Sequence, residues 1–250
     1  MCLVVFAWQT HPAYRLILAA NRDEFHQRPS RALNWWPDRP EVLAGRDLQA
    51  GGTWLAVSRD GRFATVTNYR EQQRRQPGLV SRGALVTDFV TGSESAETFV
   101  GAVDGDRYAG FSLLAADARD LYYVSNRGDV PTKIAPGIYG LSNASLDTPW
   151  EKVVRSKAAL QSLLESDNVN ETSLFRLLGD RTVTAASDID SGHIPFDLAR
   201  ALTAPFIVSK DYGTRCTTIL TWTHSGEISL GEQRFDAAGV KAGESRFRIP

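Results

Sequence analysis

The chain has 250 residues, with 28 Lys plus Arg against 29 Asp plus Glu and a formal net charge of −1. That balance offers no basic face to nucleic acid or to an anionic membrane. The hydrophobic share of 42% is an ordinary globular one, enough to enclose a core in one domain spanning 1–250. Two cysteines far apart, Cys2 and Cys216, form neither a disulfide framework nor a zinc site, so no metal is expected. The amino terminus lacks a basic n-region and no apolar run is long enough to span a bilayer, which predicts a soluble, cytoplasmic protein without a membrane span.

In chain order, residues 3–8 and 14–20 are two β-rich runs that predict a hairpin of buried strands. Asn21-Arg22-Asp23-Glu24 follows the second run. Residues 26–50 read as loop, with Pro29, Pro37, Pro40 and a Trp35-Trp36 pair among polar residues. The runs 53–58 and 63–68 form a second hairpin around Asp60-Gly61, a favoured tight-turn pair. A basic loop from Arg70 to Gly78 comes next. Ser81 is the expected N-cap of a helix through 90, and 94–103 is also expected to be helical. Strands are predicted at 108–115 and 121–125, with a turn at 126–129 and a further strand ending at 140–143. Thr148-Pro149-Trp150-Glu151 predicts a helix start with a Thr N-cap, Pro at the first position and Glu at the third. That helix runs to about 166, a second covers 171–178, and strands at 217–223 and 227–233 close the chain. Strands and helices are grouped rather than alternating, which argues for an α+β fold of antiparallel sheets with helical layers. Gly51-Gly52-Thr53 lacks the spacing and lysine of a phosphate-binding loop.

Cys2 carries the chemistry. Removal of Met1, expected because cysteine is small, leaves one residue with a thiol and a free α-amine. Their reference pKa values, about 8.5 and about 7.7–8.0, let both exchange protons near neutrality. An N-terminal nucleophile activated by its own amine is an established catalytic device. Asp23, just past the strand that pairs with the Cys2 strand, could hold the α-ammonium or the thiol proton. Asn68 and Asn143, each at a strand end, offer uncharged donors to an oxyanion. Arg215, leading into a buried strand, could support a carboxylate or bind an acidic substrate group. Alternation along the strand places Arg22 on the face opposite Asp23, so the two are not expected to serve one pocket. Trp35, Trp54 and Tyr69, with Arg22, are candidate ligand-binding residues. Cys216 is expected to be an inert core thiol.

The segments YRLILAANRDEF (14–25), GGTWLAVS (51–58), TNYR (67–70), YGLSNASLDTPWEKV (139–153) and YGTRCTTIL (212–220) resemble the NRDE-motif family, whose eukaryotic members are called transport and Golgi organisation proteins. That family in turn resembles the cysteine branch of the N-terminal-nucleophile (Ntn) hydrolases, which includes penicillin V acylases and bile salt hydrolases. The resemblance implies a four-layer αββα sandwich of two antiparallel sheets, with Cys2 as nucleophile. It matches Asp23 to an aspartate after the second strand, Asn143 to an oxyanion asparagine and Arg215 to a late arginine, with Asn68 near another site position. The hydrolases place an arginine three residues before the aspartate. This chain has Ala20 there, and Arg22 is expected to face the other way. For function, the resemblance implies hydrolysis of a small-molecule amide, a C–N bond outside a peptide. Its alternative is a carrier for haem or an acyl-CoA-like ligand in the same cleft. No cofactor is required; haem as carried ligand would take an axial ligand from Cys2, His11, His26, His193 or His224.

Overall fold

The computed structural model describes residues 2–70, 78–128, 130–185, 189 and 194–250. The basic loop from Arg70 to Gly78 falls, except at its two ends, outside the described residues, as do Asp129 and His193. The elements in chain order are β1 (Cys2–Trp8), β2 (Tyr14–Phe25), β3 (Ser30–Trp36), β4 (Arg39–Asp47), β5 (Leu55–Ser58), β6 (Phe63–Asn68), α1 (Gly83–Thr91), α2 (Ala96–Ala102), β7 (Phe111–Ala116), β8 (Leu121–Ser125), β9 (Thr132–Lys133), β10 (Gly137–Leu141), α3 (Glu151–Glu165), α4 (Glu171–Leu177), α5 (Phe196–Ala201), β11 (Tyr212–Thr223), β12 (Ile228–Phe235) and β13 (Lys241–Ile249).

The strands form two sheets. One is ordered β10-β1-β2-β11-β12-β13 and the other runs β3 to β9 in sequence order; all ladders are antiparallel. The period of two along each strand sorts its side chains between layers. In β1, Val4, Phe6 and Trp8 enter the core between the sheets with Leu18, Leu55, Phe63 and Leu220. Leu3, Val5 and Ala7 face the other way, onto Val153 and Leu160 of α3 and Leu174 of α4. On the far side, Leu85, Val86 and Phe89 of α1 and Val100 of α2 cover Ala56, Ala64 and Leu113. Three apolar interfaces thus separate four layers, and the fold is an αββα sandwich.

Several local readings change. Residues 26–50 are not a loop but the hairpin β3–β4. Its prolines sit where a strand tolerates them: Pro29 precedes β3, Pro37 lies in the turn and Pro40 is second in β4. β3 is also an edge strand. Thr148 does not cap α3; its hydroxyl donates to the Ser145 carbonyl at 2.8 Å, and Trp150 occupies the cap position. Arg82 rather than Ser81 precedes α1 as its cap residue, without a side-chain cap bond. Strand β13, unread in the sequence, is a charged edge strand, which is how sheet edges resist pairing with other chains.

The Gly51-Gly52-Thr53 turn lies backbone to backbone on the start of α1. A Cβ on Gly83 would come within 2.9 Å of the Thr53 nitrogen and carbonyl oxygen, whereas one on Gly101, in α2, meets nothing within 4 Å. Urea unfolding should therefore separate the two substitutions. Gly83→Ala is expected to destabilise by about 1–3 kcal/mol through overpacking, and Gly101→Ala to stabilise by up to about 1 kcal/mol through helix propensity.

Candidate active site

Cys2 pairs with Arg22 across β1 and β2, and Arg22 pairs with Cys216 across β2 and β11. Side chains opposite one another in antiparallel strands share a face, so Cys2, Arg22 and Cys216 form a row on the face turned toward the second sheet. At the Cys2 end of this row a cleft of about 300 Å³ opens, walled by β2, the 47–54 turn, Asn68 and the entry to α1.

Arg22 is 5% exposed. Its guanidinium lies 4.2 Å from the centre of the Trp54 ring, a cation–π contact. The nearest carboxylate oxygen paired with it, Asp47 Oδ2, is 4.0 Å from Nη2. That carboxylate is already engaged. Arg28 Nε donates to Oδ2 at 2.8 Å and Nη2 approaches the same oxygen at 2.8 Å. The amides of Gln49 and Ala50 donate to Oδ1. Among the described residues, Arg22 Nη1 is buried and has no hydrogen-bond partner.

Asp23 sits on the other face of β2. Thr214 Oγ1 donates to its Oδ1 at 2.7 Å, and Lys152 of α3 acts on it electrostatically. Burial pushes the Asp23 carboxyl up to about 6, against the opposing pull of the positive amino terminus, Lys152 and the Thr214 hydroxyl. Burial likewise raises the Cys2 thiol, while the amino terminus, the Asp23 amide and Arg22 favour its thiolate. Lys152, almost fully buried, is lowered by burial and held up in part by Asp23 and Cys2.

Asn143 Oδ1 accepts from the Cys2 nitrogen at 3.3 Å, and its Nδ2 donates to the Asn68 carbonyl at 2.8 Å. Ser142 Oγ donates to the Cys2 carbonyl at 2.9 Å. Asn143 therefore touches the backbone of Cys2 and does not line the cleft, whereas Asn68 does.

The structure thus brings Cys2, Arg22, Asp23, Asn68, Asn143 and Trp54 together and leaves three candidates elsewhere. Arg215 is the extra residue of a bulge in β11, where the register shifts between Thr214 and Cys216. Its Nη1 donates to the carbonyls of Phe25, His26 and Arg28, bracing the turn that carries Arg28 rather than facing the cleft. Trp35 lies under the guanidinium of Arg59, 3.9 Å from the ring centre. Tyr69 sits beyond β6, its N–H bonded to the Gly110 carbonyl. Two orientation readings also change. Arg22 and Asp23 do line one cleft, because it opens at the end of the sheet, where β1 begins with Cys2 opposite Arg22. Arg22 does not face away from position 20: Ala20 pairs with Val4 and Arg22 with Cys2, on the same side of the strand. Lys152 was missed, although Lys152, Ser156 and Leu160 fall on one helical stripe at spacing four.

Of the thiol and imidazole candidates for a haem iron, Cys2 lines the cleft. His11 packs on Tyr14, His26 faces the Ser209 carbonyl, and His224 faces the carbonyl of His11. Among the described residues no group of three His, Cys, Asp or Glu is placed to hold a metal ion, and no helix is long and apolar enough to cross a membrane.

Two stacked antiparallel sheets, with helices outside both, make an N-terminal-nucleophile-hydrolase-like fold. Two solved structures share it. The mutant C2A conjugated bile acid hydrolase from Clostridium perfringens superposes with a TM-score of 0.56 at 9% identity, over all of this chain and 92% of its own. The Caenorhabditis elegans N-acylethanolamine-hydrolyzing acid amidase ortholog superposes with a TM-score of 0.50 at 8% identity, over 88% of this chain and 92% of its own. At such identities the likeness is one of fold. The sequence places the chain more narrowly: it belongs to the Transport and Golgi organisation 2 family, whose model matches residues 1–237. Relatives include the Bos taurus Transport and Golgi organization protein 2 homolog, 36% identical over 93% of this chain and 92% of the relative, and the Mus musculus homolog, 34% identical with the same coverage.

The raised Asp23 carboxyl has a consequence for stability. A folded pKa of about 6, above an unfolded value of about 3.9, means the native state holds the proton longer. The contribution of Asp23 to native stability therefore falls as pH rises from about 4 to about 6. The unfolding free energy of Asp23→Asn minus that of wild type should grow across this window and level off near pH 7, with an amplitude of up to about 3 kcal/mol. Urea melts at half-unit pH steps give the curve.

Proposed function

We propose that this protein hydrolyses a small-molecule amide with Cys2 as nucleophile. The observation that carries the reading is the placement of Cys2 on a cleft, with its nitrogen donating to Asn143, its carbonyl accepting from Ser142 and Arg22 opposite it across the strands. The fold neighbours are both named as hydrolysing enzymes, and one of them is a C2A mutant.

Once Met1 is removed, the α-amine of Cys2 takes the thiol proton and the thiolate attacks the amide carbonyl. The tetrahedral oxyanion is held by the Asn68 amide. Collapse breaks the C–N bond, the α-ammonium gives its proton to the departing amine, and a thioester remains. Water then attacks the thioester, with the same amine taking and returning the proton, and releases the acid. Asn143 Oδ1 fixes the direction of the α-amine. Asp23 and Lys152 set the charge behind it.

Phe25, Trp54, Leu79 and Val80 give the cleft an apolar wall. That wall favours an acyl chain as the carbonyl side of the substrate, and it is also what a carrier of an acyl-CoA-like ligand would use. Haem carriage in this cleft would rest on Cys2 as the ligand. Carriage without turnover survives Cys2→Ala for an acyl-CoA-like ligand and fails for haem, which separates the readings.

Intact-mass measurement should show a mature chain beginning at Cys2. On a panel of N-acyl amides, Cys2→Ala should abolish turnover and Asn68→Ala should lower kcat by roughly 10²–10³. Retained Met1, or turnover unchanged in Cys2→Ala, would eliminate the mechanism.

A further inference from the structure

Arg22 is a buried guanidinium whose charge the fold does not fully answer. Its five N–H donors meet the face of Trp54 and one carboxylate at 4.0 Å, beyond hydrogen-bond range and shared with Arg28. Nη1 has no partner among the described residues. A buried charge left this way is expensive, and the fold holds it beside the nucleophile: Arg22 lines the same cleft and is the cross-strand neighbour of Cys2. The nine-residue helix α1 presents its amino end, Gly83, to the cleft as well, adding partial positive charge.

We propose that Arg22, whose guanidinium has no carboxylate within hydrogen-bond range and which lines the cleft, anchors a carboxylate carried by the ligand of this cleft. This deepens the amidase reading and rests on it for the identity of the cleft: the substrate would be an N-acyl amide bearing a carboxylate within a few bonds of the scissile carbonyl, as an N-acyl amino acid does. A monoanion fits better than a phosphate dianion, because Asp23, Glu24 and Asp47 also line the cleft and would repel the second charge. Arg28 is not an equal anchor, since Asp47 and Glu24 already engage it.

The test compares alkylation of Cys2 by iodoacetate and by iodoacetamide, followed by peptide mass mapping on the whole protein. The same thiolate attacks both reagents, displacing iodide, so the ionisation of the thiol cancels in the ratio of their rates. With the ratio for free cysteine as reference, iodoacetate should be favoured about tenfold or more, as expected for a hydrogen bond to a charged group. Arg22→Gln should return the ratio to the reference. A wild-type ratio at the reference overturns the proposal, and this arm needs no variant. A raised ratio that persists in a folded Arg22→Gln also overturns it. If neither reagent labels Cys2, the nucleophile reading fails and the anchor is judged by calorimetry on Cys2→Ala. There, benzoylglycine binding more tightly than benzoylglycinamide, with the difference lost in Cys2→Ala/Arg22→Gln, upholds it. Equal binding, or none, overturns it.

Discussion

A guanidinium buried between two sheets is the constraint around which this cleft is arranged. Moving such an ion out of water costs several kcal/mol even after relaxation, and the neighbourhood of Arg22 offsets that in identifiable ways. Trp54 offers its ring face, and Trp54 can lie there because Gly45 has no side chain: a Cβ on Gly45 would reach within 2.5 Å of the indole carbons. Asp47 supplies a carboxylate that is braced by Arg28 and two backbone amides and so cannot swing away. The cleft wall is built from these fixed parts.

Opposite charges occupy the two faces of one strand. Toward the second sheet, β2 presents Arg22. Toward the helices it presents Asp23, held by Thr214 and coupled to Lys152. The strand's period of two keeps them from neutralising each other as a pair. Cys2 is the group that both can influence, because it starts β1 at the sheet's end. Arg22 lies opposite it across the strands, and Asp23, the next residue of β2, lines the same cleft from the other face. A thiol raised by burial is thereby placed between a cation that favours thiolate and a carboxylate that opposes it.

The periodicities that bury whole faces were legible in the sequence. The β1–β2 hairpin, the Asp60-Gly61 turn, with Gly61 at φ +71, and the helices α1 to α4 follow from local pattern. So does the clustering of polar candidates at strand ends. The β3–β4 hairpin was not legible, since prolines at a turn and at strand edges read as loop until the sheet order is known. Arg215 illustrates a different limit. A bulge turns its side chain onto carbonyls of the 25–28 turn, and no spacing rule announces a bulge. Lys152 shows a third, because a lysine on a helix is read as solvated unless its stripe is compared with Ser156 and Leu160.

The alanine at position 20 also acquires a physical meaning. Ala20 opposes Val4 and lies within the apolar core between the sheets, with Leu18 and Leu33. An arginine there would bring its charge into that core. Two residues further along the same face, roughly 7 Å down the strand, position 22 opposes Cys2 and borders the cleft. A cation at position 22 can reach a ligand group lying alongside the sulfur, which one opposite Val4 would meet only from within the core. Ala20 and Arg22 thus divide one face of β2 into an apolar part packed in the core and a charged part that borders the cleft.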